Sequence, residues 1–191
     1  MMQIFASDLL SSLAASPTST SADSSSSKAD ISVDIGVTKL PYFIDKAQAI
    51  EESRQYEAEL PQVHLTGFDT LVRILDPKYY PPSHTLAVLG PFLARHRLLV
   101  TYRTDDRWGA KVAQDEYLAL LGRGGREGEG GKREWVGEGR IAMVEGWREG
   151  EVVSSTRVRE AVKEGDRDLL RRLVTNRVAA WILEEGLYKG N

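Results

Sequence analysis

The sequence predicts an α/β protein built on a mostly parallel sheet. Three observations carry this. Short apolar runs, QVHLTGF (62–68), RLLVTYR (97–103) and RIAMVEG (140–146), have the length and composition of strands. They alternate with longer segments of helical periodicity, the pattern of βαβ units. The chain has 191 residues, enough for one domain with a proper core and too few for two large ones.

Taken in order, the first segment, MMQIFASDLLSSLAAS, places Met1, Phe5, Leu9 and Leu13 at helical spacing, which predicts a packed amphipathic helix. It has no basic n-region, and Asp8 interrupts its apolar part, so it does not read as a signal peptide. Residues 14–30 are rich in Ser and Thr, with almost no large apolar group, and predict a flexible insertion. ISVDIGV (31–37) reads as a short strand. Residues 41–59 read as a helix with Ile44, Ala47 and Ile50 on one face. After the strand 62–68 a short helix runs over 69–75, ended by Pro77. Residues 86–96 read as a helix disturbed at Gly90-Pro91, and 110–122 as a helix closed by glycine. GRGGREGEGGKRE (122–134) follows a helix, not a strand, and lacks a G-K-[ST] ending. It is therefore neither a Rossmann fingerprint nor a Walker A loop, and its mixed charge predicts a flexible surface insertion. Helices are expected over 156–164, 166–173 and 175–185.

Composition excludes several classes. There is no cysteine, hence no disulfide, thiolate metal site or cysteine nucleophile. That fits a cytoplasmic protein and leaves the nucleus open. The net charge of -3 argues against a dedicated nucleic-acid binder. No apolar run approaches the roughly 18 residues of a membrane span. His64, His84 and His96 show no metal-ligand spacing.

Parallel sheets bind ligands outside the carboxyl ends of their strands. Three stretches there carry candidate chemistry. In HLTGFD, Gly67 lets a ligand approach the backbone; Asp69 either accepts from ribose hydroxyls or caps the next helix. Arg103 ends the strand 97–103, where it either meets a phosphate or pairs with Asp105 or Asp106. In VVSSTRVRE (152–160), Ser154, Ser155 or Thr156 supplies an N-cap. Arg157 and Arg159 then enter the first turns against the helix dipole, with no acid to balance them. Hydroxyls, open N–H groups and guanidiniums together suit a phosphate; the alternative is a Ser-capped helix with solvated arginines.

SSTRVR (154–159), HLTGFD (64–69), GFDTLVRILDPKYY (67–80) and LVTNRVAAWILEEGLY (173–188) together resemble the nicotinamide/nicotinate mononucleotide adenylyltransferase family, its fungal branch in particular. The resemblance implies a Rossmann-like nucleotidyltransferase fold and the joining of nicotinamide mononucleotide to the AMP part of ATP, with Mg²⁺ held through the ATP phosphates. It implies that Ser154, Ser155, Thr156, Arg157 and Arg159 hold ATP phosphates. It implies further that Gly67 and Asp69 contact a nucleotide ribose, that Arg103 lies near the ligand, and that Tyr79, Tyr80 or Trp108 stacks on the pyridine ring. The expected partners are ATP and nicotinamide mononucleotide, with no nucleic acid and no membrane; homo-oligomerisation is open. The family's opening strand and (H/T)xGH loop are not found in this sequence. The helix at Met1 resembles the one that follows them, so a sheet with uncovered apolar surface and a weak or inactive chain are expected. Two other readings stay open: a nucleotide-binding pseudoenzyme, and a nucleotidyltransferase with another phosphorylated acceptor.

Overall fold

The computed structural model describes residues 1–15, 31–57, 60–103, 108–145 and 153–188. In chain order the helices are α1 (Met2–Ala15), α2 (Phe43–Glu52), α3 (Phe68–Ile74), α4 (Gly90–Arg95), α5 (Lys111–Gly122), α6 (Glu134–Gly137), α7 (Ser155–Glu164), α8 (Arg167–Leu173) and α9 (Asn176–Glu184). The strands are β1 (Val63–Gly67), β2 (Arg97–Thr101) and β3 (Ile141–Val144). The chain forms two compact units, Thr38–Val152 and Met1–Val37 with Val153–Asn191.

The first of these units holds the sheet. Its strands lie in the order β1-β2-β3, all parallel. Gly67 is level with Thr101, and Thr101 with Val144, so the three carboxyl ends form one edge. Leu98, Val100 and Ile141 turn to one face and are buried with Leu71, Leu75 and Leu93 of the flanking helical segments. Among the described residues β1 is an edge strand, and its alternate residues Val63 and Leu65 are 53% and 74% exposed. The α/β architecture is the one predicted.

Several local expectations need correction. Residues 31–37 form no strand: Ile31, Ile35 and Val37 are exposed, and no neighbouring strand pairs with them among the described residues. The helix expected over 41–59 ends at Glu52. The Ser53 hydroxyl there donates to the Ile50 carbonyl at 2.6 Å, and Arg54 takes a left-handed φ of 55°. The segment 86–96 is a 3₁₀ turn, Leu86–Leu89, followed by α4, with Pro91 in the helix's opening positions where its missing N–H costs nothing.

Residues 122–134 were expected to be a flexible insertion and are instead folded into hydrogen-bonded turns. Gly124 and Gly130 take φ values of 85° and 88°, and a Cβ on Gly130 would lie 2.2 Å from the Thr85 hydroxyl. That hydroxyl donates to the Glu129 carbonyl at 3.0 Å. Arg126 donates to the Tyr117 hydroxyl at 2.8 Å and to Glu129 from its Nε at 2.8 Å. Local pairing of Arg126 with Glu129 and of Arg133 with Glu127 accounts for part of the charge that makes the segment look solvated. Of the insertion expected at 14–30, Ala14 and Ala15 belong to α1 and residues 16–30 lie outside the described residues.

The second unit is helical. Its core holds Val158, Val162, Leu170, Leu173, Val178 and Ile182. α1 forms as predicted, but its stripe of Met1, Phe5, Leu9 and Leu13 stays exposed. Ile4 packs on the core instead, while Asp8 accepts from the Thr175 hydroxyl and pairs with Arg177 at 3.1 Å. Gly165, at φ 73°, stops α7, and Asp166 immediately caps α8 by accepting from the Leu169 N–H at 2.8 Å. Among the described residues, no helix is long and apolar enough to cross a membrane.

Candidate functional site

In the sheet unit, β1 passes into α3 without a loop, and β2 ends two residues before Arg103. The Arg103 guanidinium reaches back across Gly67 to Asp69, with Nε 2.6 Å from Oδ1. Both side chains are about a quarter exposed, at 28% and 25%. Gly67 makes the meeting feasible. A Cβ there would lie 2.6 Å from Asp69 Oδ1 and 2.8 Å from Arg103 Nε and Nη2, closer than any real side-chain carbon sits. Its φ of -93° is ordinary, so the requirement for glycine is spatial. Of the two readings for each charged residue, Asp69 does not cap α3, because that helix has no side-chain cap. The partner of Arg103 is Asp69; Asp105 and Asp106 lie outside the described residues.

Gln114 completes this edge and is a residue that sequence reasoning missed. It is fully buried. Its Oε1 accepts from the Arg103 N–H at 3.0 Å, and its Nε2 donates to the Arg103 carbonyl and, at 3.1 Å, to the Gly109 carbonyl. A usable signal exists. Gln114, Leu118 and Leu121 share the buried face of α5 at helical spacing, and a carboxamide at an apolar phase of a helix must find buried partners.

A second layer ties the neighbouring strand ends. The Tyr102 hydroxyl donates to Asp115 at 2.6 Å, and that bond, with some burial, pushes its pKa up to about 12. Lys111 pairs with Glu145 at 2.6 Å and lies 5.3 Å from the centre of the Tyr102 ring. The start of α5 is thereby linked to residues following β2 and β3.

The three aromatic candidates are placed differently. Trp108 stands beside Gly109, half-buried and edge-on to Phe68 with ring centres 6.2 Å apart. Tyr79 and Tyr80 come after α3, whose seven residues rise about 10 Å from the strand end. The Tyr80 hydroxyl donates to the Ile74 carbonyl at 2.7 Å, and burial raises its pKa to about 12. Tyr79 is 39% exposed, with Lys78 over its ring.

The remaining candidates lie in the helical unit. Ser154 is the N-cap of α7, its hydroxyl accepting from the Arg157 N–H at 3.3 Å. Ser155 and Thr156 are exposed in the first turn, which carries no acid. Arg159 extends over the ring of Tyr188, 5.8 Å from its centre.

The histidines have structural surroundings. His96 is buried; its Nδ1 accepts from the Gln62 N–H at 3.1 Å, and its Nε2 is 3.4 Å from Glu51. His64 packs edge-on to Phe43 and against Phe92, with its Nε2 unpartnered. Burial holds both imidazoles below their ordinary pKa. His96 and Lys46 add to this at His64; at His96, Glu51 opposes it and Arg95 adds to it. Among the described residues, no group of three or more His, Asp or Glu side chains could hold a metal.

No protein-family model matches the chain, and no solved structure does. The chain is similar to a Schizosaccharomyces pombe protein named "Putative nicotinamide mononucleotide adenylyltransferase", with 30% identity over 152 residues. The match covers 76% of this chain and 56% of the relative, so the chain spans little more than half of that protein's length. The kinship supports the resemblance to the nicotinamide mononucleotide adenylyltransferases carried by residues 64–69, 154–159 and 173–188. The three-stranded parallel sheet with flanking helices is consistent with a Rossmann-like nucleotidyltransferase fold.

Proposed function

We propose that the chain serves adenylyl transfer in NAD biosynthesis: ATP and nicotinamide mononucleotide give NAD and pyrophosphate. The observation that carries this reading is the meeting of Asp69 and Arg103 over Gly67 at the carboxyl edge of β1 and β2. An acid that accepts from ribose hydroxyls and a guanidinium that meets a phosphate are the two groups a mononucleotide needs, and parallel sheets bind their ligands at this edge. The name of the fungal relative agrees with that chemistry.

The reaction asks little covalent work of the protein. A phosphate oxygen of the mononucleotide attacks the α-phosphorus of ATP in line. The new O–P bond forms as the bond from that phosphorus to the bridging oxygen breaks, and pyrophosphate leaves with the electron pair. A phosphate is already an adequate nucleophile, so positioning and charge stabilisation carry the rate. In this reading Asp69 orients a ribose and Arg103 meets a phosphate. Ser154, Ser155, Thr156, Arg157 and Arg159 hold ATP phosphates. Trp108, of the three candidates the nearest in sequence to the strand-end residues, takes the pyridine ring in preference to Tyr79 or Tyr80. Mg²⁺ enters with ATP, on the phosphate oxygens.

Incubating the chain with ATP, Mg²⁺ and nicotinamide mononucleotide tests this directly. Dinucleotide and pyrophosphate in equal amounts support it. Nucleotide binding without dinucleotide identifies a binding protein instead, and adenylylation of another phosphorylated acceptor alone identifies a different nucleotidyltransferase.

A further inference from the structure

We propose that Gln114 is a positioning residue whose carboxamide fixes the backbone of Arg103, and thereby aims the Arg103 guanidinium across Gly67 at the nucleotide edge. The role of the guanidinium toward a nucleotide rests on the function proposed above; the positioning itself does not.

Arg103 lies beyond the last paired residue of β2, Thr101, so the ladder between β2 and β3 supplies no partner for its peptide groups. A peptide unit at a strand end is ordinarily free to rotate or to bond water. Here one side chain replaces the missing strand. The carboxamide of Gln114 accepts from the Arg103 N–H and donates to the Arg103 carbonyl, as a neighbouring peptide would. Its second N–H proton goes to the Gly109 carbonyl at 3.1 Å. The same group thus holds both shoulders of the connection between β2 and α5. Only a primary carboxamide has one acceptor and two donors in this arrangement. A carboxylate lacks the donors and an apolar chain lacks both.

Gln114 is itself immobilised. It is 0% exposed and sits on the face of α5 that buries Leu118 and Leu121. From this fixed backbone the Arg103 side chain runs to Asp69, which belongs to a different strand–helix junction. The guanidinium is therefore constrained at both ends, by Gln114 at its backbone and by Asp69 at its head. No other side chain in the described residues bonds to both the N–H and the carbonyl of Arg103.

The test begins without ligand, by recording arginine Nε–H resonances of the full chain, with Arg103→Lys assigning the signal. The expected parent signal stands apart from those of exposed arginines and is lost in Asp69→Asn. In Gln114→Met it is expected to collapse toward the exposed-arginine position although Asp69 is intact. An unchanged signal in Gln114→Met overturns the proposal. Should Gln114→Met fail to fold by circular dichroism, Gln114→Glu is read in its place. It keeps the acceptor for the Arg103 N–H and loses both donors, so a displaced signal is again expected and an unchanged one again overturns the inference.

The second arm titrates ATP and nicotinamide mononucleotide by calorimetry. Gln114→Met is expected to weaken binding about tenfold in the parent, the scale of one charge-assisted contact. It is expected to cause no further loss in an Arg103→Ala background. Equal loss in both backgrounds would mean that Gln114 acts on the fold at large and not through Arg103. A parent chain that binds neither nucleotide refutes the proposed function, while the ligand-free spectra still judge the positioning role.

Discussion

The two regions proposed to meet the nucleotide handle charge in opposite ways. At the carboxyl edge of the sheet, Asp69 and Arg103 form a matched pair at 2.6 Å over a glycine. At the start of α7 there is no acid in the first turn, a serine hydroxyl closes the helix, and Arg159 lies over an aromatic ring. The first region is electrostatically complete, so a ligand there has to exchange partners. The second carries Arg157 in the first turn, where the helix dipole disfavours an exposed cation by about 0.3–1 kcal/mol, and an anion there would relieve that cost. Paired charge marks a site that selects; a helix start with no acid in its first turn marks one that attracts.

That contrast can be broken most severely at Gly67. Gly67→Val should displace both charged side chains and abolish detectable nucleotide binding, with about 1–3 kcal/mol of overpacking cost in urea unfolding. Normal binding by this variant would show that the pair does not belong to the ligand site. Next comes the pair itself. Asp69→Ala and Arg103→Ala each leave a partly buried charge without its partner and should cost about 1–2 kcal/mol. The double variant should lose less than the sum, and strict additivity would mean that the 2.6 Å contact contributes nothing.

Ser154→Ala removes the α7 cap and should cost about 1 kcal/mol, read as a lower melting temperature of the helical unit. Retention of the full melting temperature would assign the start of α7 no structural share in that serine. Acidification should have a smaller effect and touch the sheet unit alone. His64 and His96 have folded pKa values below the ordinary imidazole value of about 6.5, so the unfolded chain binds more protons. Stability is then complete above that value and falls as the pH drops through it toward the folded pKa values. Comparing urea midpoints at pH 7.5 and 5.5 checks the direction; a higher midpoint at the lower pH contradicts it. The smallest change in stability is expected for Arg159→Ala, within about 0.5 kcal/mol, together with weaker ATP binding. An unchanged dissociation constant would return that arginine to the role of a solvated surface group.

Much of this was legible before the structure. All three strands fall within the predicted runs, since parallel strands in a small sheet are short, apolar and bounded. Gly67, Asp69 and Arg103 were each singled out at strand ends; their mutual contact was not, because strand order and register are three-dimensional facts that spacing does not carry. The failures have particular causes. Periodicity identified α1 but chose the stripe through Met1 and Phe5, whereas the packed side of the helix includes Ile4 and the polar Asp8. Residues 31–37 have strand composition but no strand to pair with among the described residues. The glycine-rich 122–134 segment hid Arg126–Glu129 and Arg133–Glu127 pairs that compositional reasoning counts as solvated charge. Gln114 escaped because glutamine in a helix usually faces water.

The ion pair over Gly67 also bears on which molecules the edge would refuse. A free phosphate arriving at Arg103 would find a cation already neutralised and would leave Asp69 stranded once it bound. A sugar without a phosphate would strand Arg103 in the same way. Only a molecule presenting hydroxyls and a phosphate together can relieve both members at once. On the proposed reading, the resting contact acts as a two-key filter, and inorganic phosphate or ribose alone should be poor competitors where a mononucleotide succeeds.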